Sequence, residues 1–302
     1  MGGDGVQGAA CELHGGYSGD NRGGGDRFKG LLARLKGRSS LKNLEPRLFT
    51  EEGLASHGDA VEFYGPEGTG KSEMLYHLVV SCILPELAGG LQVEVLFIDT
   101  DYHFDMLRLV TILERRLPQG TEDTVKGCLS RLYLVQCGGS TQLLLLLHSL
   151  EALVCSHPAL CLLIVDSISA FYWMDRLSGG ESINQQEASL CRCIEHLEKL
   201  LSEYHLVLVA TTQALMHVPG SGVYKSDGVS AAWLPLLSTA AQYKPYLCKS
   251  WQRLVKHRLV FSKCNNNARD NKLDFTIVSL HPKSSVVSKC AFTVTDGGIQ
   301  FL

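Results

Sequence analysis

The sequence has no run of five or more basic residues, and its 28 lysines and arginines are outnumbered by 31 acids, for a formal net charge of −3. A chain without a global basic field cannot wrap nucleic acid in the manner of a histone, so any such contact has to come from a local patch. There is no C-x-x-C pair either. The eleven cysteines are scattered, the nearest two being Cys191 and Cys193, and no histidine spacing matches them, which argues against a zinc centre. Most sit in apolar runs, as Cys82, Cys137 and Cys161 do, where a free thiol acts as a small core side chain. The odd count and the lack of a secretory h-region predict a reducing, intracellular compartment. Long hydrophobic runs are also missing. The most apolar stretch, TQLLLLLHSLEALV from Thr141 to Val154, is too short to span a bilayer and is interrupted by His148 and Glu151, so it predicts a buried helix and no membrane contact. Val6 stands where a myristoylation signal needs Ser or Thr, so no lipid anchor is expected.

What is present is an ordinary globular composition, 45% apolar and 20% charged, over 302 residues. Glycines crowd residues 1–26, which hold too few large apolar groups to offset chain entropy and are expected to be a flexible tail. Residues 27–58 predict a short helical segment: FKGLLARL has helical spacing, and Ser39 or Ser40 suits a cap before LKNL. From 59 to 302, apolar runs of strand length alternate with amphipathic stretches of helix length, which predicts βαβ units on a mostly parallel sheet. The strands expected are 60–64, 93–98, 131–137, 161–165 and 206–210, with helices over 70–84, 104–117, 141–155 and 184–204 between them. Beyond Lys256 the pattern becomes strand after strand, RLVFSK, KLDFTIVSL and CAFTVTDGGIQF, with Asp296-Gly297-Gly298 as a hairpin turn.

Residues Gly65, Pro66, Glu67, Gly68, Thr69, Gly70, Lys71 and Ser72 fit G-x-x-x-x-G-K-S/T, after the strand-like AVEFY and before the helix-like EMLYHLVV. In that setting glycines let successive amides turn towards phosphates, the helix N-terminus adds its positive end, Lys71 reaches the terminal phosphates and the Ser72 hydroxyl suits Mg²⁺. A second carboxylate must orient the metal's shell, and CLLIVDS supplies Asp166 at the end of an apolar run; Asp99 and Asp101 of LFIDTD are the other candidates. LFIDTD lies between the two motifs, an order that suits ATPases whose intermediate strand carries the water-activating acid. The strand LVLVATTQ ends in Gln213, placed either to sense a terminal phosphate or simply to begin a surface loop. HVPGSGVYKSDGVSAAW after it lacks periodicity and predicts a long loop.

Taken in order and spacing, GPEGTGKS, LFIDTD, LLIVDS, ATTQ and YLCKSWQRLVKHRLVF resemble the ATPase core of the RecA-like recombinases of eukaryotes, and among these the short recombinase paralogues. The resemblance covers about residues 40 to 302. It implies a P-loop α/β fold, a central mostly parallel sheet flanked by helices with a C-terminal antiparallel extension. It also implies an ATP- and Mg²⁺-binding protein of homologous recombination, working in the nucleus with other paralogues and with single-stranded or branched DNA. Carried over by motif, Lys71 and Ser72 meet phosphate and Mg²⁺, Asp166 is the acid of the second motif and Gln213 the phosphate sensor.

Three departures from that pattern set the expectations. Where active members place a Glu to position the attacking water, this sequence has Asp101, shorter by a methylene, and a displacement of about 1 Å can cost roughly 100-fold in rate. None of the ten Phe residues has Ala three positions on, so the plug by which active members dock on a neighbour is absent. A subunit lacking one of two complementary surfaces ends a chain and cannot extend it, which predicts a terminal place beside the paralogue designated D. Finally, ISAFYWMDRLSGGES after Asp166 holds one basic residue, Arg176, whereas Lys249, Arg253, Lys256 and Arg258 follow later. At helical spacing Lys249, Arg253 and Lys256 share a face, suited either to DNA phosphates or to solvent. The rival functions are a DNA-dependent ATPase that itself drives strand exchange and a small-molecule kinase; the kinase needs an arginine-rich lid, and PELAGGLQ has none.

Overall fold

The computed structural model describes residues 41, 44–49, 58–180, 182–214, 243–264, 274–280 and 288–302. The expected glycine-rich tail, most of the expected short helical segment and the long loop after Gln213 lie outside them. Nine strands form one sheet: β1 (Ala60–Gly65), β2 (Glu94–Asp99), β3 (Leu132–Gln136), β4 (Leu160–Asp166), β5 (Val207–Gln213), β6 (Val255–Cys264), β7 (Asp274–Leu280), β8 (Ser288–Thr295) and β9 (Gly298–Phe301). Their order is β3-β2-β4-β5-β1-β6-β7-β8-β9, parallel from β3 to β6 and antiparallel from β6 to β9. The described helices are α1 (Lys71–Ile83), α2 (Met106–Arg116), α3 (Glu122–Leu129), α4 (Ser140–Ser156), α5 (Tyr172–Ser178), α6 (Ile183–Tyr204) and α7 (Lys249–Leu254).

The central parallel strands β2 and β4 are near-continuous apolar runs because both their faces are covered. Val95 and Phe97, Ile164, and Val207 and Val209 point into one cluster with α1, α2 and the rings of β6, β7 and β8. Their neighbours Leu96 and Ile98, Leu163 and Val165, and Leu208 and Ala210 point into a second with α4, α6 and α7. Each cluster takes alternate side chains of the same strands, the two-residue period of a pleated sheet. Of the N-terminal segment, Leu41, Leu44, Leu48 and Phe49 are buried in the first cluster, and Glu45 accepts from His77 Nε2 on α1 at 2.6 Å.

Two short helices, α3 and α5, were not foreseen. α3 is set by Thr121, whose hydroxyl accepts from the Thr124 amide at 3.3 Å, while its own body buries only Cys128. A helix resting on a cap leaves little apolar periodicity to read.

The expected basic face is a correction. α7 ends at Leu254 and the chain passes at Val255 into β6, which pairs with β1 from Ala60 to Tyr64, so Lys256 is a strand residue and shares no helical face with Lys249 and Arg253. Sheet pairing wins because two acids on and beside β1 draw the cations in. Lys256 Nζ pairs with the buried Asp59, and Arg258 Nε lies 3.2 Å from Oε2 of the buried Glu62. Glu62 also accepts from Thr212 Oγ1 at 2.9 Å, Trp251 Nε1 at 3.1 Å and Tyr243 Oη at 3.1 Å. A carboxylate so satisfied is tolerated in a core; with its cation removed it is not. Arg258→Ala is therefore expected to lower unfolding free energy by about 3 kcal/mol, read as a drop in the urea midpoint, whereas Arg253→Ala on the exposed side of α7 should leave it within about 0.5 kcal/mol.

Candidate nucleotide-binding site

The carboxyl ends of β1, β2, β4 and β5 lie along one edge of the sheet, and the candidate residues leave from there. Register sets Asp99 opposite Asp166 and Gly65 opposite Gln213. From Gly65 the chain turns through a loop that needs glycine at specific places. Gly68 and Gly70 adopt φ +71° and +86°, where an L side chain is strained. A Cβ on Gly65 would lie 2.6 Å from the Phe261 carbonyl oxygen. Thr69 Oγ1 closes the turn by donating to the Pro66 carbonyl at 2.8 Å.

Lys71 starts α1 and folds back over the loop, its ammonium donating to the carbonyls of Gly65 and Pro66, both at 2.7 Å. Burial pushes its pKa down to about 8, against the pull of Asp166 and Glu67. Ser72 Oγ donates across 3.4 Å to Asp166 Oδ2, and Thr211 Oγ1 donates to the other Asp166 oxygen. Burial raises the Asp166 carboxyl above the usual range, with Thr211 opposing. The Asp166–Ser167 peptide is cis, and Thr100 brackets it, its hydroxyl donating to the Ser167 carbonyl at 2.8 Å and accepting from the Ser167 amide at 2.6 Å.

Of the acids in LFIDTD, Asp99 is taken up structurally: its oxygens accept from the amides of His103 and Phe104, both at 3.2 Å. Asp101 is the half-buried one beside the loop, its carboxyl raised by burial and opposed by a hydrogen bond from Ser167. Gln213 keeps an exposed side chain while its backbone is pinned, the amide to Ser169 Oγ at 3.1 Å and the carbonyl to Tyr246 Oη at 2.7 Å. Thr211 and Thr100 were not singled out from the sequence; the ATTQ run held the first in plain sight, but only its partner Asp166, 45 residues away, reveals its part.

Among the proposed DNA contacts, Lys249 and Arg253 are exposed on α7, whereas Lys256 and Arg258 are engaged by Asp59 and Glu62. The loop after Asp166 is α5, and its Arg176 bonds the Tyr172 hydroxyl and lies 5.5 Å over that ring. Trp173 and Leu177 beside it are 57% and 85% exposed.

The donor set suits a nucleoside triphosphate with Mg²⁺: two hard oxygens, Ser72 Oγ and an Asp166 carboxylate oxygen, face each other at the mouth of a loop with no Cβ at its three glycines. Comparison with known proteins gives the family. A model of the family described as Rad51 matches residues 46–265. The chain belongs to the Rad51 family. Within it, the chain is similar to DNA repair protein XRCC2 of Mus musculus, 58% identical over 271 residues, covering 90% of this chain and 95% of that one. DNA repair protein XRCC2 homolog of Arabidopsis thaliana is 28% identical with 79% of each chain covered. DNA repair protein RAD51 homolog 2 of Mus musculus is 30% identical over 70% of this chain and 62% of its own. The Rad51-family fold and its recombinase-paralogue character, both expected from the motifs, stand.

Lys71 has a consequence for pH. Its pKa of about 8 lies below the ordinary 10.5, so between those values the unfolded chain holds a proton that the folded one has released, and stability rises with pH across that window. Wild-type protein should gain about 1–3 kcal/mol between pH 8 and 10.5 relative to Lys71→Met, measured as the difference of their denaturation midpoints at each pH; parallel curves would contradict the buried ammonium.

Proposed function

We propose that this chain is an ATP-binding subunit of a recombinase-paralogue complex that acts in homologous-recombination repair of DNA double-strand breaks in the nucleus, assisting the loading of a recombinase on single-stranded DNA. The observation that carries the reading is a complete phosphate loop, with Ser72 and Asp166 3.4 Å apart at its mouth, beside an acid one methylene shorter than catalysis asks for. Ser72 and Asp166 are the residues that would hold Mg²⁺, which when bound neutralises charge on the terminal phosphates. Lys71 exchanges its loop carbonyls for those phosphates. To Gln213 we assign the sensing of the last of them, a role supported by its register opposite Gly65.

Asp101 is the reason for reading a holder and not an engine. Its shorter carboxylate is hydrogen-bonded to Ser167, and it reaches less far than a glutamate on the same backbone. One observation favours the rival reading of an active DNA-dependent ATPase: burial raises the Asp101 carboxyl, which makes it a better proton acceptor.

The names of the relatives, DNA repair proteins of the XRCC2 and RAD51 kinds, support the pathway. The missing Phe-x-x-Ala plug supports a terminal position, with the paralogue designated D as direct neighbour. Lys249 and Arg253 are the proposed DNA contacts on α7. The test is reconstitution. Full-length chain alone should run as a small species at every concentration and form a defined complex with the D paralogue that increases recombinase on single-stranded DNA. Filaments of the chain alone, or strand exchange by it alone, would overturn the proposal. Lys249→Ala and Arg253→Ala should each reduce the slope of log affinity against log salt for single-stranded DNA by about 0.7; an unchanged slope assigns them to solvent.

A further inference from the structure

The wall behind the phosphate loop comes from the far end of the chain. At Gly70 a Cβ would lie 2.8 Å from Cζ and 3.0 Å from Cε2 of Phe292 on β8, and 3.5 Å from the ring of Phe275 on β7. Phe292 is fully buried, stacked on Phe275 at 5.2 Å and 22° and edge-on to Phe261 of β6 at 6.3 Å and 74°. Phe261 in turn presents the carbonyl that closes on Gly65 and packs its ring on Phe63 at 4.9 Å. Phe261 of β6 thus backs the loop at its first glycine with its carbonyl and Cβ, and the rings of Phe275 and Phe292 on β7 and β8 back it at its last.

The same strands are tied to the first turn of α1. Arg108 of α2 grips Glu73, next to Ser72, with Nε and Nη2 at 2.9 Å each. Its remaining donors reach the carbonyls of Asp296 at 2.9 Å and Thr295 at 2.6 Å in the β8–β9 turn. Gly298, at φ +96°, seats that turn on Ile112, which a Cβ would meet at 3.1 Å. Among the described residues, the hairpin thus reaches the site at Gly70 through the Phe292 ring and at Glu73, next to Ser72, through Arg108.

We propose that Phe292 is a positioning residue for nucleotide: its ring fixes Gly70 in the left-handed conformation that aims the α1 amides, so that nucleotide binding and the order of the β8–β9 hairpin are linked. The proposal rests on the nucleotide-binding reading of the site. A side chain touching only the body of α1 would add stability without shaping the loop. Phe292 touches the glycine itself, and linkage is reciprocal, so bound nucleotide steadies the hairpin as the hairpin steadies the loop.

The test uses the full-length chain as wild type, Phe292→Leu, Phe292→Ala and Leu197→Ala. Leu197 is equally buried but lies on α6 in the opposite cluster, so its truncation costs stability without touching the loop. Two readouts are taken: amide exchange over residues 65–72 without nucleotide, and the Kd for Mg·ATP. Both Phe292 variants should speed exchange in the loop and weaken binding by about tenfold, Leu197→Ala should do neither at a matched loss of midpoint, and nucleotide should slow exchange over 288–301 in wild type. If Phe292→Ala does not fold, Phe292→Leu carries the comparison. Phe292 variants that bind and exchange like Leu197→Ala overturn the proposal. Wild type that binds no nucleotide would sink the reading of the site instead, and loop exchange in the nucleotide-free variants would still decide what Phe292 does.

Discussion

The site depends on one constraint, the parallel register that brings the carboxyl ends of β2, β4, β5 and β1 to one edge of the sheet. Pairing Asp99 with Asp166 and Gly65 with Gln213 sets the phosphate loop, the metal-suited acid and the exposed amide along one edge. Because side chains alternate along a strand, a slip of one residue would exchange both apolar faces at once and turn Asp166 away from Ser72. Two buried clusters, one on each face, hold that register against such a slip. The geometry of the candidate site is thus a by-product of core packing.

The buried acids of β1 explain how the basic residues are divided. Asp59 and Glu62 stand at the seam between the parallel strands and the antiparallel extension, and they claim Lys256 and Arg258. Cations held by buried carboxylates cannot also be given to DNA without leaving a charge uncompensated. A patch that reads as four positive charges in sequence therefore has two of them paired with acids, and the electrostatic reach of α7 rests on Lys249 and Arg253.

Strands and the phosphate loop were legible because each is written locally: continuous apolar runs of strand length, and glycines at the positions where φ must be positive. Asp296-Gly297-Gly298 was legible for the same reason, and the hairpin follows it. What could not be read depends on partners distant in the chain. The end of α7 is decided by pairing of Val255 and the residues after it with β1, some 195 residues earlier. Thr211 gains its part from Asp166, Glu62 from Thr212, Tyr243, Trp251 and Arg258, and Phe292 from Gly70. Asp101 was read from the motif as the counterpart of the water-positioning acid; that Asp99 instead accepts from two backbone amides is set by the turn that follows β2 and could not be read from the strand alone.

That the loop holds nucleotide while Asp101 cannot drive its hydrolysis is the central claim. Single-turnover hydrolysis of bound ATP by the full-length chain, with its paralogue partner and single-stranded DNA, measures it directly when wild type is set beside Asp101→Glu. The account predicts that both bind ATP, that wild type releases phosphate no faster than Lys71→Ala, and that Asp101→Glu is faster by up to about 100-fold. Turnover by wild type that DNA stimulates, Lys71→Ala abolishes and Asp101→Glu leaves unchanged would contradict it.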